Sequence, residues 1–127
     1  MSDTTYEGRI AFTVRCESPE LAQGEMAVQE GILNPFGTVH AGAMIWFADV
    51  VATRLVLGDA KASEGMKGFP LAVNLNANLF SNMRDGVMTA KAEFVKKGRR
   101  LSVVRTQVMR PDGRVMVEVT TSHVPSE

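Results

Sequence analysis

The stretch AGAMIWFADVVATRLVLG, residues 41–58, decides the fold of this chain. It approaches the length of a membrane span, which takes ~20 mostly apolar residues, but Asp49 and Arg54 interrupt it. We therefore predict a buried helix of a soluble protein, running from about His40 to Leu57 and ending at Gly58. A helix that is apolar on nearly all sides must be covered on nearly all sides.

The second half of the chain supplies strands for that cover. Residues 69–80, FPLAVNLNANLF, alternate between apolar residues and a stripe of asparagines, as a strand does. Hairpin connections at MRDG, KKGR and RPDGR would join this strand to three more and form a four-stranded antiparallel meander. The three further predicted strands are GVMTAKAEFVKKG (86–98), RLSVVRTQVMR (100–110) and RVMVEVTTSHV (114–124).

The first half adds one or two strands. We predict strands at GRIAFTVRC (8–16), where a short helix is the alternative, and at GEMAVQEGIL (24–33), with SPELAQ (18–23) as a turn. NPFGTV (34–39) and DAKASEGMKG (59–68) are predicted loops. The expected architecture is a single α+β domain over residues 1–127, with five to six antiparallel strands wrapped around one long central helix. One sheet covers only part of that helix, so we expect a second copy of the chain against the rest.

The bulk composition narrows the classes of partner. The chain carries 14 basic and 14 acidic side chains, so its formal net charge is zero. Nucleic acid binding requires a basic excess, and we therefore expect no nucleic acid partner. The one cysteine, Cys16, excludes an internal disulfide, and the first ten residues lack the basic and then apolar pattern of a secretory signal. We expect a cytoplasmic protein without a membrane partner.

The start of the helix is a predicted site of chemistry. The first backbone N–H groups of a helix have no intrahelical partner, and the helix dipole adds roughly half a positive charge there. Such an end stabilises a developing oxyanion. Ala41 and Gly42 are small residues, and they would let a substrate carbonyl approach these N–H groups closely.

Asp49 is the second element of the predicted site. It lies about two turns into the apolar helix, where burial disfavours its charge and raises the pKa of its carboxyl group. Thr53 lies one turn further on the same face, so its hydroxyl could hold a water against the carboxylate. From the residues alone a second interpretation is equally open, in which Asp49 pairs with an arginine across an interface, for example Arg54 of a neighbour.

Together these residues follow a family pattern. The pattern is a loop Asn or Gln, then Gly-x-x-His-Gly-Gly, then an acid nine residues after the histidine. With VNLNANLF (73–80) and KKGRR (96–100) behind it, this chain resembles the hotdog-fold acyl-CoA thioesterases, specifically the phenylacetate-degradation-type branch, over about residues 24–124. Ala41 departs from the pattern because it replaces the first glycine, although alanine keeps the backbone N–H. The residues that fit are Asn34, Gly37, His40, Gly42 and Asp49.

The resemblance implies an activity, the hydrolysis of an acyl-CoA thioester to a free acid and coenzyme A. Asp49 would act as general base or nucleophile, and Thr53 would help to hold the attacking water. The N–H of Ala41, with Gly42 beside it, would polarise the thioester carbonyl. No metal and no cofactor is implied, because coenzyme A is part of the substrate.

The resemblance also implies how the loop before the helix contributes. Asn34 would position the water or the thioester, and His40 would order the loop and the helix start. In relatives the acid of one subunit works with the loop of the other. A homodimer is therefore implied, with the sites at its interface, and beyond it a dimer of dimers (a homotetramer).

The coenzyme A end of the substrate would meet basic residues. Read alone, KKGRR is a solvated hairpin end; with the resemblance, contact with phosphate or pantetheine is the better interpretation. The residues concerned are Lys96, Lys97, Gly98, Arg99 and Arg100. The segment Phe80, Ser81 and Asn82 lies at a strand end that lines the substrate channel in relatives.

Other functions remain open at this level. A non-catalytic hotdog protein could bind acyl-CoA as a sensor or carrier, because the fold hosts both classes. A pure assembly module would hold Asp49 in a salt bridge, whereas an enzyme needs it as a base. A dehydratase of this fold fits less well, because the spacing between its histidine and its acid differs. The acyl group and the choice between coenzyme A and acyl carrier protein are not determined by the motif.

Overall fold

The computed structural model describes residues 3–58 and 67–127, and within them it contains six strands, one long helix and one short 3-10 helix. All six strands form one antiparallel sheet in the order β1-β2-β4-β5-β6-β3. The elements are β1 (Thr13–Ser18), β2 (Leu21–Ala27), the 3-10 helix (Glu30–Ile32), α1 (Ala41–Leu57), β3 (Pro70–Leu79), β4 (Val87–Lys96), β5 (Ser102–Met109) and β6 (Val115–Pro125).

The sheet wraps around α1, which packs against all six strands, so the predicted hotdog architecture is confirmed. The helix has the predicted bounds: it begins after His40 and ends before Gly58, whose φ of 66° favours glycine. No helix among the described residues has the length and apolar character that crossing a membrane requires. The core between helix and sheet is formed by buried side chains that include Phe47, Ala48, Val51, Met26, Met88, Val104, Val108 and Val119.

The predicted four-stranded meander is wrong in the place of its first strand. β4, β5 and β6 do form a meander through KKGR and RPDGR, but MRDG is not a hairpin. β2 already occupies the free edge of β4, and β3 therefore pairs with β6 at the opposite edge of the sheet. The helix accounts for this order, because it carries the chain from β2 across the sheet before β3 begins.

The first half also differs from its prediction. β1 covers only the end of GRIAFTVRC, β2 begins inside the predicted turn SPELAQ, and GEMAVQEGIL contains a strand end followed by a 3-10 helix. β2 ends at Ala27, opposite Val87, the first residue of β4, and one further backbone hydrogen bond joins the Val28 N–H to the carbonyl of Gly86 at 2.9 Å. In the predicted loop DAKASEGMKG, residues 59–66 lie outside the described residues.

β3 alternates as predicted only in its second half. Leu75 and Ala77 pair with Thr121 and Val119, which are buried under the helix, so these positions face α1. The three asparagines of the stripe pair with Ser122, Thr120 and Glu118 on the outer face. The register shifts between Ala72 and Asn74, and Leu71 and Val73 therefore do not continue the apolar row of Leu75.

Candidate active site

Asp49 is placed by α1 at the border between the core and an open cavity. Its neighbours Ala48 and Val51 are buried against the sheet, whereas Asp49 itself is half-buried. Its Oδ1 atom is buried and has no hydrogen-bond partner among the described residues. A carboxylate oxygen taken from water without a partner costs free energy, so its presence needs an explanation.

Among the described residues of one chain, Asp49 forms no salt bridge, and its pairing with an arginine across an interface stays a prediction. None of the ion pairs formed among residues 3–58 and 67–127 includes Asp49. Arg54 lies on the same helix, but its guanidinium donates to the carbonyl of Gly58 and caps the helix end. Within the described chain, Asp49 therefore keeps the unpaired carboxylate that acid–base chemistry requires.

The cavity beside Asp49 has a volume of about 390 Å³ and lies between α1 and the start of β3. Thr53 lines it together with Asp49, as expected for residues one turn apart on one helix face. Most of the other lining residues are apolar, which keeps the local polarity low. The lining consists of Asp49, Val50, Thr53, Arg54, Leu57, Phe69, Pro70, Leu71 and Ala72.

Two opposing effects act on the pKa of Asp49. Burial raises the pKa of the carboxyl group above its usual value, and the nearby imidazole of His123 lowers it. His123 is only 2% exposed. Burial lowers the pKa of His123, while the carbonyl of Pro70 and the charge of Asp49 raise it.

Sequence reasoning assigned no role to His123. A signal was available, because His123 lies on the same parity of β6 as Val117, Val119 and Thr121. Alternation along a strand places such a residue on the buried face. Its electrostatic interaction with Asp49 follows only from the packing of α1 on the sheet.

The helix start is exposed and accessible. His40 is the N-cap residue, has extended backbone angles and makes no capping hydrogen bond with its side chain, which is exposed. Ala41 is half-buried and Gly42 is exposed. A Cβ atom built on Gly42 would meet no heavy atom of the described residues within 4 Å. There is room at the helix start for another molecule to approach the backbone.

One chain does not bring the two halves of the predicted site together. Asp49 follows Ala41 by eight residues on α1. At a rise of 1.5 Å per residue, this separation corresponds to roughly 12 Å along the helix axis. A thioester carbonyl bound at the N–H of Ala41 is therefore out of reach of Asp49 in the same chain.

Asn34 organises the loop that precedes the helix. Its Oδ1 accepts hydrogen bonds from the backbone N–H groups of Phe36 (3.0 Å) and Thr38 (3.1 Å), and its Nδ2 donates to the hydroxyl of Thr38 at 2.7 Å. Gly37 completes this turn with a φ of 78°. An amide nitrogen carries two hydrogens, so the second N–H of Nδ2 remains available to a ligand.

The segment after β3 supports the same loop. Asn82 binds the backbone of Val39 with both ends of its amide, at 2.9 Å from the Val39 N–H and 2.8 Å from its carbonyl. Ser81 donates its hydroxyl hydrogen to the carbonyl of Val115 at 2.9 Å, and Phe80 is 63% exposed. Of these three, only Phe80 presents its side chain to the surroundings.

A second cavity, of about 340 Å³, is lined by four of the five residues of the predicted basic patch, whereas the fifth, Lys96, is the last residue of β4 and does not line it. Its lining includes Lys97, Gly98, Arg99 and Arg100, and Lys67 adds a further positive charge. Leu57 and Pro70 line both cavities, so the basic cavity adjoins the one at Asp49. No cluster of three or more potential metal ligands (His, Cys, Asp, Glu) occurs in the part of the chain that the structure describes.

Comparison with known proteins agrees with the class that the fold and the motif indicate. The family model described as the thioesterase superfamily matches residues 36–117, more than half of the chain. The chain therefore belongs to the thioesterase superfamily. A Pasteurella multocida protein that carries an esterase name is 22% identical to this chain over 108 residues. The matched residues cover 85% of this chain and 75% of that protein.

Solved structures show the same fold at low sequence identity. A Staphylococcus aureus thioesterase, determined as a mutant, superposes with a TM-score of 0.79 at 23% identity and covers 91% of this chain and 93% of its own. A hypothetical thioesterase of Streptococcus pneumoniae, determined with coenzyme A, has a TM-score of 0.78 at 18% identity and covers 91% and 86%. These likenesses extend over nearly the whole described chain.

Proposed function

We propose that this protein is an acyl-CoA thioesterase of the phenylacetate-degradation-type branch, and that Asp49 is its catalytic acid–base group. The observation that carries the proposal is the buried Oδ1 of Asp49, which lacks a partner among the described residues and belongs to a mostly apolar cavity. Burying a carboxylate oxygen without a partner costs free energy of folding, and ionisable groups in such environments are concentrated at functional sites. Membership of the thioesterase superfamily and the esterase and thioesterase names of its relatives support thioester hydrolysis.

In the proposed reaction, Asp49 activates a water or attacks the thioester carbonyl itself. Burial raises the pKa of its carboxyl group, which makes the carboxylate a stronger base. Thr53 lies on the same cavity and would hold the water against it. The N–H of Ala41, next to Gly42, would stabilise the oxyanion that forms on the carbonyl oxygen, and coenzyme A would leave as the thiol.

The site is proposed to form between two copies of the chain. The roughly 12 Å between Ala41 and Asp49 along one helix requires a second helix start to reach each aspartate. In the part of the chain that the structure describes, β3 is an edge strand, so the backbone groups on one of its sides have no strand partner there. Leu75 and Leu79 are 42% and 53% exposed in the single chain, although both belong to its apolar row. We infer a homodimer through β3 and a dimer of dimers beyond it, with Asn34 and His40 contributed across the interface.

The basic cavity is the proposed site for the phosphates of coenzyme A. Lys97, Arg99 and Arg100 line it, and its boundary with the Asp49 cavity would let pantetheine extend from one to the other. The coenzyme A in the Streptococcus pneumoniae structure supports a ligand of this class. Phe80, which lies outside the basic cavity and is exposed, would contact another part of the substrate. The single cysteine fits a cytoplasmic location.

A thiol-release assay over a panel of acyl-CoAs tests the proposal, with wild type beside Asp49→Asn. We expect the variant to remain a folded oligomer and to lose hydrolysis by a factor of about 10²–10⁴, the usual contribution of a general base. Equal turnover by both proteins would refute the role of Asp49. Binding of acyl-CoA by both without turnover would instead indicate a sensor or carrier.

A further inference from the structure

The buried face of β6 carries an imidazole that the proposed mechanism does not use. His123 contacts Pro70, which lines the Asp49 cavity, and its side chain is almost completely removed from solvent. We propose that His123 is a positioning residue of the reaction, which acts on substrate hydrolysis through Asp49 and Pro70. This inference rests on the proposed thioesterase function.

The contacts of His123 lead to the wall of the catalytic cavity. Its Nδ1 lies 3.4 Å from the carbonyl oxygen of Pro70, and its cross-strand partner in β3 is Ala72. Pro70 and Ala72 both line the cavity that contains Asp49. His123 itself lines the basic cavity on the other side of Pro70. The imidazole therefore supports the partition between the two proposed parts of the substrate site.

The hydrogen bonds of His123 are compatible with both of its protonation states. A carbonyl oxygen only accepts, so Nδ1 carries the hydrogen in the contact with Pro70. Nε2 lies 2.8 Å from the hydroxyl oxygen of Thr121, which donates to a neutral ring and accepts from a charged one. Gaining a proton therefore costs His123 no hydrogen bond, and its charge can respond to the charge of Asp49.

Asp49, from α1, is the acidic group that acts electrostatically on His123. The other charged residues on the basic cavity are Lys67, before β3, and Lys97, Arg99 and Arg100, between β4 and β5. The neighbours from β5 and β3, Ser102 and Ala72, are uncharged. A proton on His123 stabilises the carboxylate of Asp49, and the carboxylate in turn favours that proton. The proposal therefore requires that the two groups titrate as a coupled pair.

Nuclear magnetic resonance of the imidazole rings tests the coupling without any assay of activity. The chain has two histidines, and the spectrum of His123→Asn identifies the signals of His123 by their loss. We expect the titration midpoint of His123 to move to lower pH in Asp49→Asn, because the variant lacks the negative charge that favours protonation. Thr106→Val, which removes a buried hydroxyl elsewhere in the sheet, is the matched control and should leave the midpoint in place. An unchanged midpoint in Asp49→Asn would overturn the inference.

The effect on the reaction appears in the pH dependence of kcat/KM. Asparagine at position 123 can still donate to Pro70 through its amide but cannot carry a charge. We therefore expect the acidic limb of the His123→Asn profile to move to higher pH, since no imidazolium lowers the pKa of Asp49. A merely structural role would lower the rate at all pH values without moving the limb, and that result would refute the proposal.

A second variant keeps the test decisive if His123→Asn does not fold. Thr121→Val preserves the shape of the side chain and removes the acceptor for a protonated Nε2, so the acidic limb should move in the same direction. An unmoved limb in this variant contradicts the proposed coupling. Turnover by Asp49→Asn at the wild-type rate would be a different failure, because it would refute the thioesterase mechanism itself.

Discussion

Replacing Gly42 with alanine should make the folded chain more stable and the proposed enzyme less active. The added methyl group would meet no heavy atom of the described chain within 4 Å. Alanine is favoured over glycine within a helix by about 0.5–1 kcal/mol, because it loses less backbone entropy on folding. We expect the free energy of unfolding to rise by at most about 1 kcal/mol, which corresponds to an increase in Tm of a few degrees.

The same methyl group should interfere with catalysis. Gly42 lies beside the N–H of Ala41, where the thioester carbonyl is proposed to bind, and no contact among the described residues requires a glycine there. Displacing a substrate by ~1 Å costs on the order of 10²-fold in rate, as does the loss of one oxyanion donor. We expect kcat/KM for acyl-CoA to fall by about that factor, measured by thiol release, while urea unfolding reports the stability.

The inverse substitution, Ala41→Gly, provides the matched control. It keeps the backbone N–H and restores the pattern of the family, so it should lower stability by about 0.5–1 kcal/mol without loss of activity. Light scattering on all three proteins separates an effect on subunit association from one on the substrate. A Gly42→Ala enzyme that is both more stable and fully active would refute the placement of the thioester at the helix start.

Three further predictions address the remaining parts of the site. The pKa of the Asp49 carboxyl group is higher in the folded state than its ordinary value of 3.8, which applies to the unfolded chain. The free energy of unfolding of wild type therefore falls as the pH rises from 3.8 through the folded-state pKa. Asp49→Asn lacks this loss, and its urea stability relative to wild type should increase over that range; a constant difference would contradict the burial effect. The double variant Arg99→Ala/Arg100→Ala should lower kcat/KM for acyl-CoA by about 10²-fold, and much less for acyl-pantetheine, since each charged hydrogen bond contributes about 1.5–3 kcal/mol and about 1.4 kcal/mol is tenfold. Equal losses for both substrates would exclude phosphate recognition by these arginines. Leu75→Lys should yield a folded monomer by light scattering and abolish hydrolysis, because the lysine would place a charge on the proposed interface; a fully active dimer would contradict the use of β3 there.

Several features of the site were recognisable from the sequence because they depend on local chemistry. The helix of residues 41–57 and its end at Gly58 follow from an apolar run and a glycine with positive φ. Asp49 and Thr53 share a cavity because residues one turn apart share a helix face. Lys97, Arg99 and Arg100 line one cavity because they are adjacent in the loop between β4 and β5.

Other features could not be predicted because they depend on long-range pairing. The asparagine stripe and the apolar row of β3 were both visible in the sequence, but neither shows which strand β3 pairs with. β2 occupies the edge of β4, and β3 therefore pairs with β6 at the opposite edge of the sheet. The roles of Asn82 and Asn34 within the loop were also hidden, because a polar side chain can equally bind a ligand or the backbone of its own chain.

The sequence by itself determined the long buried helix and the family motif, because each is expressed in residue types at short spacing, and the resemblance carried by that motif implied the hotdog architecture. Only the tertiary structure decided that Asp49 lies near His123, which is 74 residues away along the chain, and that its Oδ1 lacks a partner among the described residues. The physical reason is that burial and electrostatic coupling belong to the packed arrangement of helix on sheet. No single segment carries that arrangement in its own pattern.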